Sequence, residues 1–135
     1  MRNSTLGLWL TLACIAPTVA HAQKRWKEIG KTSAGNVVLV DTRSVKTSKG
    51  ITSALLEVKF TTPVEAGAGV RWYMSKHEAL FDCSKRYLAS KSNTYYGDPA
   101  GTKVVRRDVN KMPGFGPPLE GSMTQVAVDY FCKPR

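Results

Sequence analysis

The sequence predicts an α+β protein: an antiparallel β-sheet of about five or six strands, with a C-terminal helix tied to it by a disulfide. Three observations carry that expectation. Short β-branched and apolar runs alternate with Gly- and Pro-containing breaks from residue 24 to residue 109, the pattern of strands joined by turns. Segment 122–132 opens with a helix-capping sequence. Two cysteines, Cys83 and Cys132, remain once the N-terminus is set aside.

The N-terminus has the layout of a secretory signal. Arg2 is followed by an apolar run from Leu6 to Ala16, and Ala20-His21-Ala22 forms a small-residue cleavage site. Cleavage is expected before Gln23, leaving residues 23–135 as a single domain. An uncleaved anchor fits less well, because the apolar run is too short to span a bilayer. Lipid attachment at Cys14 also fits less well, since Thr11 stands where that signal carries a leucine. No other segment is apolar enough for a transmembrane helix.

The strands are expected in order. Segment 24–29 is a short edge strand around Trp26, and 36–41 (NVVLVD) is β-branched and bounded by Gly35. After the Lys49-Gly50 turn, 51–61 sets Leu56, Val58 and Phe60 against Glu57 and Lys59, the alternation of a half-buried strand. Pro63, Gly67 and Gly69 mark 63–70 as a hairpin loop. Segment 71–83 resumes as a strand with Tyr73, Ala79, Phe81 and Cys83 on one face. Segment 85–96 follows with Tyr87, Ala89 and Tyr95 inward, then a turn at 97–101 and a last strand at 103–109. The prolines of 112–118 lack donors and fix the backbone, so this run is a connector.

Segment 122–132 reads in two ways. As a helix it has Ser122 as N-cap, Gln125 completing a capping box, and a stripe of Met123, Val126, Ala127 and Tyr130. As a strand it aligns Val126, Val128, Tyr130 and Cys132. The cap and Gly121 favour the helix, which is expected to loosen near Cys132.

The formal net charge is +10. It falls to +9 after cleavage, because the leader carries Arg2 and no acidic residue. That excess points either to an anionic partner or only to solubility. Cys83 and Cys132 form an even pair in an oxidising compartment, where pairing is the default. Closing a loop of about 50 residues removes roughly 4 kcal/mol of unfolded-state freedom in the chain-entropy view.

Catalysis through these residues is excluded by distance. His77 and Cys83 are six residues apart on one strand, roughly 20 Å, so the imidazole cannot activate the thiol. Parity also puts Glu78 and Asp82 on the face opposite His77, which disfavours a small hydrolase. No G-x-S-x-G, H-E-x-x-H or paired C-x-x-C occurs after residue 22, and no cofactor or metal site is expected. Gly67-Ala68-Gly69 lacks the strand–turn–helix context of a phosphate cradle. The candidate ligand-binding residues are Lys85, Arg86, Lys103, Arg106 and Arg107. On a strand, Lys103 and Arg107 share a face while Arg106 points the other way. The competing reading of these cations is an edge protected by charge against strand pairing.

Several of these residues, taken in order, resemble the surface-adhesin E proteins of Gram-negative bacteria. The resemblance includes Trp26, Val40-Asp41 followed by Ser44-Val45, and then Ser75 with Glu78, Asp82 and Cys83. Tyr87, Ser90, Tyr95-Tyr96 and the closing Cys132-Lys133 complete it. Where that family tends to carry a tryptophan before its last helix, this chain has 112–118. The resemblance implies an antiparallel sheet with a C-terminal helix held by a disulfide. It also implies a periplasmic or outer-membrane surface protein, in some members one that attaches to host matrix or serum proteins.

The expected function is therefore an exported cell-envelope interaction module with a protein or anionic polysaccharide ligand. A non-specific polyanion binder is the alternative, and a small hydrolase a distant third. An inhibitor of lysozyme-like enzymes fits the size, but a basic target would repel a chain of this charge. Nucleic acid is not an expected partner, and exposed edge strands offer a route to a homodimer.

Overall fold

The computed structural model describes residues 24–134. The expected leader, residues 1–22, lies outside the described residues. Seven strands form one antiparallel sheet: β1 (Trp26–Lys31), β2 (Val37–Asp41), β3 (Lys46–Ser48), β4 (Ile51–Glu65), β5 (Arg71–Asp82), β6 (Tyr87–Tyr96) and β7 (Val104–Val109). The order across the sheet is β1-β2-β4-β5-β6-β7, and β3 pairs with β4. One helix, α1 (Met123–Phe131), follows the sheet and lies on one of its faces, called here the helix face. None of the described helices is long and apolar enough to cross a membrane.

Strand alternation decides which residues meet the helix. Val40, Ala54, Leu56, Ala79 and Phe81 turn toward it and pack with Ala127, Val128 and Cys132 in the buried core. Phe81 and Phe131 lie with ring centroids 4.7 Å apart, within the range of favourable aromatic pairs. Cys83 and Cys132 are disulfide-bonded, with Cα atoms 5.0 Å apart. The bond closes the end of β5 onto the end of α1.

The expected helix is present, with a different cap. Ser122 is the N-cap, but its hydroxyl accepts from Thr124 N at 3.1 Å. Gln125 reaches forward to Asp129 instead, so no capping box forms. Thr124 places a second hydroxyl 2.6 Å from Ser122 Oγ and draws the cap to itself. The buried helical face keeps Met123, Ala127 and Tyr130 of the expected stripe and widens to include Val128 and Phe131. Cys132 is the non-helical C-cap, as the expected loosening requires.

Three sequence expectations are corrected by register. The Pro- and Gly-containing segment 63–70 reads as a loop in sequence, but β4 continues to Glu65. The ladder shifts between Lys59 and Val64, around Pro63, which lacks a donor. Past that shift Trp72, not Tyr73, stands beside Val64 and Tyr95 in a helix-face cleft, while Tyr73 lies near Gly69, Gly97 and Val105. On β6, Leu88 pairs with Phe81 and packs against the helix core, so Tyr87 points away from the helix, and Ala89, buried as expected at 1% exposed, lies on the other side of the sheet. Glu78 pairs with Ser92 and Ala79 with Ser90. Lys91 is thus an extra, bulged residue, and the bulge resets the alternation so that Asn93 and Tyr95 face the helix side.

β3 was not expected. Lys49 and Gly50, both at positive φ, form a two-residue turn that folds Lys46–Ser48 back on the start of β4.

Candidate functional site

Beside the N-terminus of α1, the helix face opens into a cleft of about 480 Å³. Val58, Phe60 and Val64 of β4 form one wall, while the 32–36 turn and the 119–123 segment form its rim. Ser33 N donates to Gly121 O at 2.8 Å and ties the two rim segments together. Trp72 and Tyr95 stack with centroids 4.0 Å apart and an interplanar angle of 24°, giving the cleft an aromatic wall. Tyr95 also presents its ring at 89° to His77. Burial, then the Asp108 carboxylate, pushes the Tyr95 phenol up, while Arg106 opposes that shift.

The floor is polar and hydrogen-bonded. Ser75 Oγ lies 2.7 Å from His77 Nε2, and His77 Nδ1 lies 2.8 Å from Asn93 Oδ1. Ser90 Oγ donates to the same Asn93 oxygen at 2.9 Å. An amide oxygen only accepts, so His77 donates from Nδ1 and receives the Ser75 hydroxyl at Nε2. Burial pushes the imidazole below its ordinary value, partly opposed by the Asn93 bond. His77 is therefore held neutral. The order serine–imidazole–amide has the connectivity of a nucleophile relay, but Ser75 is only 1% exposed and lies in the middle of a strand. The relay orients His77 and closes the cleft floor. Among the described residues, no group of three or more His, Cys, Asp or Glu side chains gathers to hold a metal ion.

The five expected binding cations are not gathered. Lys85 and Arg86 lie in the β5–β6 turn, and Lys103 precedes β7 at the other end of β6. The ten residues of β6 put about 30 Å between those ends. Arg86 has φ 55°, and its guanidinium donates to Cys132 O at 2.7 Å and pairs with Asp129. Arg106 pairs with Asp108 at 3.0 Å and lies on the helix face opposite Tyr95. Arg107 pairs with Thr94 and points to the other face.

In the sequence, the neighbours of His77 that could share chemistry with it are Cys83, Glu78 and Asp82. The structure joins it to Ser75 and Asn93. The Ser75-x-His77 spacing on one strand face was a readable sign. Asn93 was not, because its position across from His77 depends on the β5–β6 register.

The fold matches solved structures of protein E from Haemophilus influenzae. One matches with a TM-score of 0.53 and 11% identity, covering 82% of this chain and 85% of that one. A second crystal form gives 0.56 and 11%, covering 82% and 88%. Protein E from non-typeable Haemophilus influenzae gives 0.52 and 10%, covering 84% and 78%. At that identity the likeness speaks for the fold alone. No curated protein sequence matches significantly. The family model for surface-adhesin protein E matches residues 26–133, and the chain belongs to that family.

Proposed function

We propose that this protein is a non-enzymatic, adhesin-like interaction module of the Gram-negative cell envelope. In this reading residues 1–22 direct export and residues 23–135 act as one domain. The helix-face cleft is the contact point for a protein ligand. One observation carries this reading: an aromatic and aliphatic cleft opens beside the helix, with the imidazole at its floor already satisfied by Ser75 and Asn93. Such a cleft accepts an apolar side chain of a partner and asks for no reacting group. Membership of the surface-adhesin family supports the same assignment. Leu119 is 74% exposed at the rim and extends the apolar contact beyond the cleft.

The experiment has two arms. Protease is added to intact cells, with a known periplasmic protein as integrity control. Degradation of the mature chain supports surface display, and protection until the outer membrane is opened overturns it. Wild-type and Trp72→Ala proteins are then compared for binding to immobilised matrix and serum proteins. Saturable, salt-resistant binding that weakens in Trp72→Ala supports the cleft assignment. Binding that is equal in both proteins removes the cleft from the account.

A further inference from the structure

The sheet has a second face, which no described element covers with a helix. Cross-strand pairing brings a set of cations onto it. Lys59 stands beside Met74 and Tyr96, and Lys76 stands between Glu57 and Thr94, with Arg107 beyond. Further along the strands the surface dips into a concavity of about 430 Å³ lined by Arg25, Asp41, Arg43, Lys46, Glu78 and Lys91. We propose that this concavity binds a segment of an acidic polysaccharide, one bearing sulfate or carboxylate groups on a hydroxyl-rich chain.

The charges in the concavity are ordered. Asp41 is 2% exposed and accepts Arg25 at 2.7 Å and Arg43 N at 3.0 Å. The Arg25 guanidinium beside it holds its carboxyl below the usual carboxylate value. That internal pair neutralises itself and fixes the wall. Arg43, Lys46 and Lys91 remain, exposed and in no ion pair among the described residues. Lys91 is there because it is the bulged residue of β6, and bulges re-aim side chains. Opposite these cations stands Glu78, exposed, with Oε2 accepting from Ser92 at 3.0 Å. Three cations facing one carboxylate favour a ligand with both anionic groups and hydroxyl donors.

The neighbouring aromatic rings decide between a saccharide and a nucleic acid. Lys76 Nζ lies 5.4 Å from both the Trp26 and Tyr96 ring centroids, and Arg25 lies 5.9 Å from the Trp26 ring. These rings are already engaged by the protein's own cations. Single-stranded nucleic acid gains much of its binding from bases stacked on aromatic faces, and here a cation of the protein already lies over each of these rings. A polysaccharide needs only the cations and hydrogen-bond acceptors that the concavity presents. This surface is separate from the helix-face cleft, so the two assignments stand or fall independently.

The probes are a size-defined heparin oligosaccharide, a polygalacturonate fragment and a thymidine oligonucleotide, each titrated calorimetrically at several salt concentrations. The test protein is Arg43→Ala/Lys46→Ala/Lys91→Ala. The control, Lys31→Ala/Lys111→Ala/Lys133→Ala, removes the same number of charges from exposed positions outside the concavity. We expect the test protein to bind heparin about tenfold or more weakly, with a shallower salt slope, and the control to stay within about twofold. Loss with polygalacturonate as well extends the site to carboxylated chains, and loss with heparin alone restricts it to sulfated ones. Equal loss in the test and control proteins assigns binding to net charge and overturns the proposal. So does wild-type affinity in the test protein, or an oligonucleotide bound more tightly than either saccharide.

Discussion

His77 and Asn93 face each other across the β5–β6 ladder, imidazole Nδ1 to amide Oδ1 at 2.8 Å. The partnership holds the ring in one tautomer beneath Trp72 and Tyr95. It also makes the fold sensitive to acid. The imidazole is pushed below its ordinary value when folded, so the unfolded chain takes up the proton more readily. This contribution to stability is fully present above the ordinary histidine value and is lost as pH falls from there through the lowered folded value. We expect the wild-type Tm to fall between about pH 7.5 and about pH 5. His77→Gln, less stable throughout, should show a flatter profile over the same range. Asp41, Asp82 and Asp98 are held below their ordinary value and add their losses only at lower pH. A wild-type Tm that is flat across the range would contradict the burial argument.

The Cys83–Cys132 bond spans 49 residues of sequence. Replacing both cysteines by alanine should lower stability by about 4 kcal/mol, read as an earlier urea midpoint. The loss should appear chiefly as a shift in midpoint, with α1 detaching from the sheet before or together with global unfolding. Hydrogen exchange along 123–131 tests this second point.

Arg86 seals the same corner from outside, bonding Cys132 O and Asp129. Its backbone is left-handed, at φ 55°, which costs a side-chain-bearing residue roughly 1 kcal/mol. Arg86→Ala loses the contacts and keeps the strain, whereas Arg86→Gly loses the contacts and relieves the strain. Thermal denaturation should therefore rank wild type above Arg86→Gly, and Arg86→Gly above Arg86→Ala. Reversal of the two variants would show that the conformation carries no cost.

Gly30 sits where β1 meets the helix. A Cβ added there falls 2.8 Å from Val126 Cγ1, at a backbone φ of +156°. Gly30→Ala should cost about 1–3 kcal/mol through overpacking. Adding Val126→Ala should recover part of that loss, because it removes the clashing methyl groups. Additive losses in the double variant would locate the cost in the backbone instead.

The sequence by itself determined six of the seven strands, the helix and their order, and missed β3. Alternation through Leu56, Val58 and Phe60, the Lys49-Gly50 turn, the Ser122 cap and the even pair of cysteines are local or arithmetic features, and each corresponds to part of the observed fold. The segments identified as strands are strands, and the C-terminal segment is a helix bonded to the sheet. Tertiary structure alone decided the faces. One extra residue at Lys91 inverts the alternation of β6 and sends Leu88 rather than Tyr87 and Ala89 toward the helix. A shift around Pro63 puts Trp72 rather than Tyr73 into the cleft. The candidate cations Lys85 and Arg86 lie at one end of β6 and Lys103 at the other, while Arg43 and Lys46 of one stretch and Lys91 of β6 line a single concavity. Strand period is written in neighbouring residues, but a bulge or a register is set by which strands pair and how they pack. A binding surface assembled across several strands inherits that dependence.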